Sequence, residues 1–480
     1  MLMTPILGYE PRPGEVVEWV PSAKSVAAAE IAPPHPAPPS FVQERHITRA
    51  LANESSGKVQ SPWLATVFDL PGPLDTESMA SALTKWVRRH PTLLTWFSPA
   101  ADGSLRRHAL TPESFSLRTS AAGAFDDPVK LREHLHERFD LGTDPLRWPP
   151  FTAGAIVRKD SSTVYFAVDH SHSDGYSIIL VFAELRALYQ AEVHGSVAQL
   201  PKTGSYVDFC ELERARAAQV TRDSPAVHQW LEFWLAGGGT PPRFPLDLGV
   251  SPDGTYPAVP VEIDLFDTEE AEAFAASCKS HGAGFSAGLL TALGIANWEL
   301  AGQDGYRGLN VVHTRDEPRW AATQGWFINL VPVQFTVANA KDLGTVLSGA
   351  QAAFERARGL AGVSLHRVTE VVTEGLDLHT DSRVVLPMVS YIDTRRVPGS
   401  QDWEAADCRV LGGPGDSHDV PIWVNRLWRR TYLKASHPDT PEARANVPRY
   451  LERVRQILRT VAATGDYPVS GREISTGTAS

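Results

Sequence analysis

His170, His172 and Asp174 stand at alternate positions in the stretch YFAVDHSHSDGYSIIL, residues 165–180, and the spacing reads in two ways. As HxHxD, two imidazoles and a carboxylate are the ligand types that zinc takes, with one position left open when the metal catalyses. On an extended chain His170 and His172 would fall on the same side, because side chains alternate. As HxxxDG, from His170 to Gly175, a single neutral imidazole with an ordinary pKa of about 6.5 can take a proton from an attacking hydroxyl or amine. Gly175 then allows close backbone approach, and its neighbourhood can offer N–H groups to a developing oxyanion. The metal pattern is incomplete: zinc hydrolases continue with a further histidine directly after the aspartate, where this chain has Gly175, and His228, His281 and His313 form no obvious ligand cluster. HxxxDG alone is short, and its plain alternative is a histidine that closes a strand.

Such a motif needs elements to hold it. FTAGAIVRKDSSTVYFAVDH reads as a strand, a polar turn and a second strand, and YSIILVFAELRALYQAEVHG as an apolar helix stopped by Gly195. His170 then lies at the C-terminal end of a strand, just before a turn and a helix, where α/β proteins gather their chemistry. Upstream, Ser40 is a natural N-cap for the helix FVQERHITRALAN, and SPWLATVFDL alternates as a strand. DTESMASALTKWVRRHP is a helix capped by Asp75 or Thr76 and stopped at Pro91, and DPVKLREHLHERFDL is another. Downstream, YVDFCELERARAA and SPAVHQWLEFWLAG are helices. From Val259 a strand–helix alternation restarts, with VVLPMVSYID among its strands and NVPRYLERVRQILRTVAATG as the closing helix.

At 480 residues the chain exceeds a single hydrophobic core, so two domains are expected. Hydrophobic residues at 42% and charged residues at 21% suit a globular protein, and a net charge of -11 argues against non-specific nucleic-acid binding. The run NRLWRR, Asn425 to Arg430, is a local basic candidate for an acidic protein partner, with a solvated strand edge as its plain reading. Three cysteines, Cys210, Cys278 and Cys408, form no CxxC pair, which fits a reducing, cytoplasmic compartment. No secretory pattern opens the sequence, and no apolar run reaches the ~18 residues of a membrane helix, so a soluble protein is expected.

Several motifs occur in an order that resembles the condensation-domain superfamily: nonribosomal peptide condensation domains, polyketide-associated acyltransferases and, more distantly, chloramphenicol acetyltransferase. SFVQERHI at 40–47 resembles the family's S-x-A-Q-x-R opening helix, RRHPTLLTWF at 88–97 its RHExLRTxF, and FDLGTDPLRW at 139–148 its FDL…PL segment. SYVDFCELE at 205–213 is similar to YxDFAxWQ, and QGWFINLVPV at 324–333 to GxFxNTLPL. With HxxxDG these make six in order. One departure is informative: the family's HHxxxDG has a first histidine where this chain has Asp169, and the second histidine, catalytic in that family, corresponds to His170. The pattern looks most like free-standing actinobacterial acyltransferases of the glycolipid-acylating type.

The resemblance implies an α/β fold of the α+β two-layer kind, with two chloramphenicol-acetyltransferase-like subdomains in a V and the active site in a tunnel between them. The expected division is a proline-rich extension at 1–39 that lies over the surface or is partly mobile, an N-terminal subdomain at 40–215, a C-terminal subdomain at 216–470 and a disordered tail at 471–480. His170 is implied as general base. Asp174 is implied as structural, paired with an arginine from the second half, Arg315 or its rival Arg319, and Gly175 serves backbone geometry. Trp326 and Asn329 are candidates to border the thioester, Ser390 to hydrogen-bond substrate or simply to fill its strand, and His172 to support or pack. The reaction implied is acyl transfer from a phosphopantetheine thioester, of coenzyme A or an acyl or peptidyl carrier protein, to a hydroxyl of a glycolipid, polyketide or other small molecule. No metal and no tightly bound cofactor is needed, and a monomer is expected. An amide-forming condensation enzyme and a non-catalytic carrier-binding homologue are the alternatives.

Overall fold

The computed structural model describes residues 1–55, 62–251, 254–374 and 387–469. The chain opens with β1 (Leu2–Pro5), β2 (Gly14–Pro21), α1 (Ala23–Glu30) and the two-residue β3 (Pro34–His35). Helix α2 (Phe41–Ser55) starts from a reciprocal cap: the Ser40 hydroxyl accepts from Gln43 N, and the Gln43 side-chain oxygen accepts from Ser40 N. Strand β4 (Trp63–Pro71) leads into α3 (Thr76–Arg89), capped by Asp75. Then come β5 (Thr95–Pro99), β6 (Leu105–Ala109), β7 (Leu117–Phe125) and α4 (Pro128–Gly142). The hairpin β8 (Phe151–Val157) and β9 (Ser161–Asp169) precedes α5 (Gly175–His194), which ends at Gly195 with φ 62°, a left-handed conformation that glycine adopts freely. Helix α6 (Tyr206–Ala217) follows.

The remainder runs α7 (Pro225–Ala236), β10 (Ala258–Asp267), α8 (Thr268–Ser280), α9 (Phe285–Ala301), β11 (Gly305–His313), β12 (Ile328–Thr336), α10 (Leu343–Arg358) and α11 (Leu365–Thr373). It closes with β13 (Met388–Asp393), β14 (Arg409–Gly412), β15 (Ile422–Arg426), β16 (Arg430–Pro438) and α12 (Pro441–Thr464). The start of the expected strand VVLPMVSYID, residues 384–386, and the expected tail at 471–480 lie outside the described residues.

These elements form two compact α/β units. The first comprises Met1–Gln219, Arg315–Phe327 and Arg396–Gly415, and the second the rest. A seven-stranded sheet in the order β1-β14-β4-β9-β8-β2-β7 and a three-stranded sheet β3-β6-β5 belong to the first unit. Strand β9 lies inside the larger sheet, antiparallel to both β4 and β8, and all its residues except Ser161 are buried. That is why it reads as a continuous apolar run rather than an alternating one. The second unit holds a six-stranded sheet, β10-β16-β15-β13-β11-β12, with a core that includes the apolar faces of α8, α9, α10 and α12.

Two expectations need correction. Residues 1–39 are no surface extension: β2 sits inside the large sheet between β8 and β7, and Trp19 is fully buried with its indole N–H on Thr76 O at 3.1 Å. The prolines that suggested an extension begin only at Pro33, after β2 is complete. The division at residue 215 also fails, because Arg315–Phe327 and Arg396–Gly415 return to the first unit. The run NRLWRR is the β15–β16 turn of the second unit, and two of its arginines are answered by acids, Arg426 by Glu272 at 2.7 Å and Arg430 by Glu262 at 2.7 Å.

Candidate active site

The buried β9 stops at Asp169 because that side chain turns back to accept from Ser171 N at 2.8 Å. The cap starts a 3₁₀ turn over His170–His172, so these two histidines do not share a face of an extended segment, as strand counting had suggested. Their rings part company. His172 is completely buried, donates from Nε2 to Thr95 O at 3.1 Å and is hydrogen-bonded at Nδ1 by the Ser171 hydroxyl at 2.8 Å. With both nitrogens engaged it has no lone pair left for a metal. Among the described residues no group of three His, Cys, Asp or Glu side chains converges as a metal site.

His170 is only half-buried. Its Nδ1 is sealed from solvent with no hydrogen-bond partner on another residue among the described residues, which leaves Nε2 as the nitrogen that can meet a substrate. The Trp326 ring lies against it at 4.0 Å and 34°, and the His46 ring stands 6.2 Å away. Burial among these rings, and then the facing His46, push the His170 pKa down to about 4, against smaller opposing pulls from the residue's own backbone, Asp169 and Asp174. The imidazole is therefore neutral at physiological pH and can accept a proton.

Asp174 caps α5, taking Ser177 N on Oδ1 at 2.6 Å and Phe327 N on Oδ2 at 2.8 Å. Arg315 reaches it at 3.4 Å, and the same guanidinium donates to the Ser177 hydroxyl at 2.7 Å and to the carbonyls of Trp320 and Thr323. Arg319 instead pairs with Glu317 at 2.9 Å. These bonds tie the segment Arg315–Phe327 to the turn that carries His170, and so hold Trp326 against the imidazole. The Tyr206 hydroxyl adds a bond to Trp326 O at 2.8 Å. Gly175 is exposed and supplies the first residue of α5, where backbone N–H groups lack partners inside the helix.

Helix α2 contributes from the other flank, and the sequence reading had assigned its side chains no part in the site. Gln43 donates from Nε2 to Ser171 O at 2.7 Å, and His46 meets Asp169 Oδ2 through Nε2 at 3.2 Å. Burial alone would raise the Asp169 pKa. The charge and hydrogen bond of His46, with His172 and Ser171 N–H, outweigh burial and hold it below the usual carboxylate range. Gln43 and His46 both lie in SFVQERHI, three residues apart on one helix face, which is the only sequence signal for the pair.

Asn329 and Ser390 belong to the second unit. Asn329 is not free to line a thioester: its amide nitrogen is spent on the carbonyls of Leu360, Ala361 and Val363, and its oxygen accepts from Leu330 N and Leu365 N. It fixes the link between α10 and α11. Ser390 is buried in the interior of β13, opposite Trp423 of β15.

The Condensation domain family matches residues 36–391. Acyltransferase PapA3 of Mycobacterium tuberculosis (strain ATCC 25618 / H37Rv) is 30% identical over 463 residues, covering 95% of this chain and 96% of the relative. Trehalose-2-sulfate acyltransferase PapA2 of Mycobacterium tuberculosis (strain ATCC 25177 / H37Ra) is 30% identical over 470 residues, covering 96% and 98%. The solved PapA2 acyl transferase structure superposes with a TM-score of 0.87 at 28% identity, covering 96% of this chain and 100% of that one. The condensation domain of the Monacolin K polyketide synthase MokA shares the fold, with a TM-score of 0.69 at 16% identity over 90% of this chain and 99% of its own. A match over most of the chain, and relatives of nearly the same extent that are acyltransferases, make this chain a member of the condensation-domain family and an acyltransferase.

Proposed function

We propose that the protein moves an acyl group from a phosphopantetheine thioester, carried by coenzyme A or an acyl carrier protein, to a hydroxyl of a glycolipid or other natural-product acceptor. The observation that carries the reading is His170: a neutral imidazole at the end of a rigid strand, with Nδ1 sealed and Nε2 left for substrate. Nε2 takes the proton of the acceptor hydroxyl as its oxygen bonds to the thioester carbon. The amides at the start of α5, at Gly175 and Tyr176, are the donors available to the oxyanion. When the tetrahedral adduct collapses the carbon–sulfur bond breaks, and the departing thiolate takes the proton from the imidazolium. The thioester is already an activated acyl group, so no resident cofactor enters these steps.

The acceptor class is supported by what relatives are called. PapA2 is named a trehalose-2-sulfate acyltransferase. PapA1 of Mycobacterium bovis (strain BCG / Pasteur 1173P2), 29% identical over 469 residues that cover 96% of this chain and 89% of the relative, is named a 2'-acyl-2-O-sulfo-trehalose (hydroxy)phthioceranyltransferase. A sugar hydroxyl and a lipid acyl chain are the substrates this suggests, in a cytoplasmic enzyme with access to such thioesters.

The test is a mass-spectrometric transfer assay. Acyl-coenzyme A and acyl-carrier donors are offered against trehalose, sulfated trehalose, a polyketide alcohol and an amine of matched shape. An ester on a sugar hydroxyl, lost by about 10²–10⁴-fold in His170→Ala, is the expected result. Transfer to the amine alone, or unchanged product in the variant, overturns the proposal.

A further inference from the structure

We propose that His46 is a positioning residue for the reaction: with Asp169 it forms a buried hydrogen-bonded pair beside His170 that fixes the turn bearing the base and offsets the carboxylate's field at its ring. This rests on the reading of His170 as general base.

The contacts around Asp169 and His46 support it. Asp169 is wholly buried beside the base, and its carboxylate has two bonds, Ser171 N at 2.8 Å and His46 Nε2 at 3.2 Å. His46 is itself buried and is carried by α2, whose Gln43 grips the same turn at Ser171 O. The His46 ring also stands edge-on to Trp326 at 5.3 Å and 83°, and Trp326 is the ring packed on His170. One side chain thus touches both the carboxylate beneath the base and the wall beside it.

The charges around His170 can be enumerated. Asp169 and His172 are on its own turn, His46 comes from α2, Asp174 from the start of α5 and Arg315 from the returning segment, while Arg107 faces His172. Asp174 already has Arg315 at 3.4 Å and two backbone N–H groups. Asp169 is the anion next to the base, and His46 Nε2 is the side-chain group that meets it, at 3.2 Å. Deleting His46 leaves a buried carboxylate beside the imidazole, which favours the imidazolium and disables the base at a higher pH. Deleting the carboxylate has the opposite sign.

The test is the pH profile of kcat/KM for the full chain and for His46→Gln, Asp169→Asn and the double variant. His46→Gln is expected to move the acidic limb upward by about one pH unit or more while keeping activity on the alkaline plateau within a few-fold. Asp169→Asn should give no upward shift, and the double variant, an amide pair of similar shape, should return the limb to within half a unit or so of wild type. A His46→Gln enzyme whose activity falls by the same factor at every pH has lost only structure, and that result overturns the proposal. Should His46→Gln fail to fold, an upward shift in Asp169→Asn or in the double variant overturns it equally. His170→Ala, run in parallel, separates the two failures: retained activity there refutes the base, whatever the limb does.

Discussion

Arg315 and Asp174 meet at 3.4 Å with both side chains almost closed to solvent, and Ser177 sits in the same cluster with its hydroxyl 2.7 Å from the guanidinium. A buried ion pair of this kind adds little over an apolar substitute, but losing one partner strands the other charge. Arg315→Ala is therefore expected to cost about 3–5 kcal/mol in urea unfolding and to reduce transfer along with it, because the segment carrying Trp326 loses its anchor. Arg315→Lys should lose less stability while still failing to span Asp174, Ser177 and the two loop carbonyls, since an ammonium lacks the guanidinium fork.

The two motif histidines should separate chemistry from stability. The His170 ring has no hydrogen bond to another residue among the described residues and is only half-buried, so His170→Ala should remove activity with little change in melting temperature. His172 has bonds at both nitrogens in a closed pocket near Phe97. His172→Ala should lower the melting temperature by several degrees and leave two buried polar groups unmatched, at a cost of about 1–3 kcal/mol each. Parallel thermal melts and transfer assays read both.

Trp326 walls one face of the base at 4.0 Å, and its indole N–H is sealed without a partner among the described residues. Trp326→Phe thus forfeits no hydrogen bond and should retain activity within a few-fold. Trp326→Ala admits water to the imidazole, so kcat/KM should fall most steeply at acidic pH, where a better-solvated His170 becomes protonated. A pH profile of the three enzymes distinguishes this from simple loss of packing.

The contrast between Asp174 and Asp169 explains how much of this site could be read in advance. The strand, turn and helix around His170 are local events, signalled by a continuous apolar run, a polar aspartate cap and Gly195, and they form where the pattern puts them. Arg315 was reachable through motif resemblance. The His46–Asp169 pair joins residues 123 positions apart, and no local preference of either residue announces it. Asn329 misled for the same reason: its motif position suggested substrate, but its partners are carbonyls on a distant link, at Leu360, Ala361 and Val363. Strand β2 was hidden by the prolines that follow it, and only its pairing with β7 and β8 makes it a central strand.

Burial holds His172 down to about 4, whereas in the unfolded chain its pKa is about 6.5. Between those values the unfolded state binds a proton that the folded state refuses, so this residue's contribution is fully present above about pH 6.5 and is lost as pH falls toward 4. The total curve does not expose it, because burial pushes Glu213 up to about 7, and that group acts in the opposite sense. A difference measurement does. The stability gap between wild type and His172→Phe should be largest at neutral pH and should close by about 3 kcal/mol on acidification to pH 4, since the variant has no ring to protonate. Urea unfolding of both proteins across that range measures the gap, and a gap independent of pH would mean that the buried ring is not held neutral.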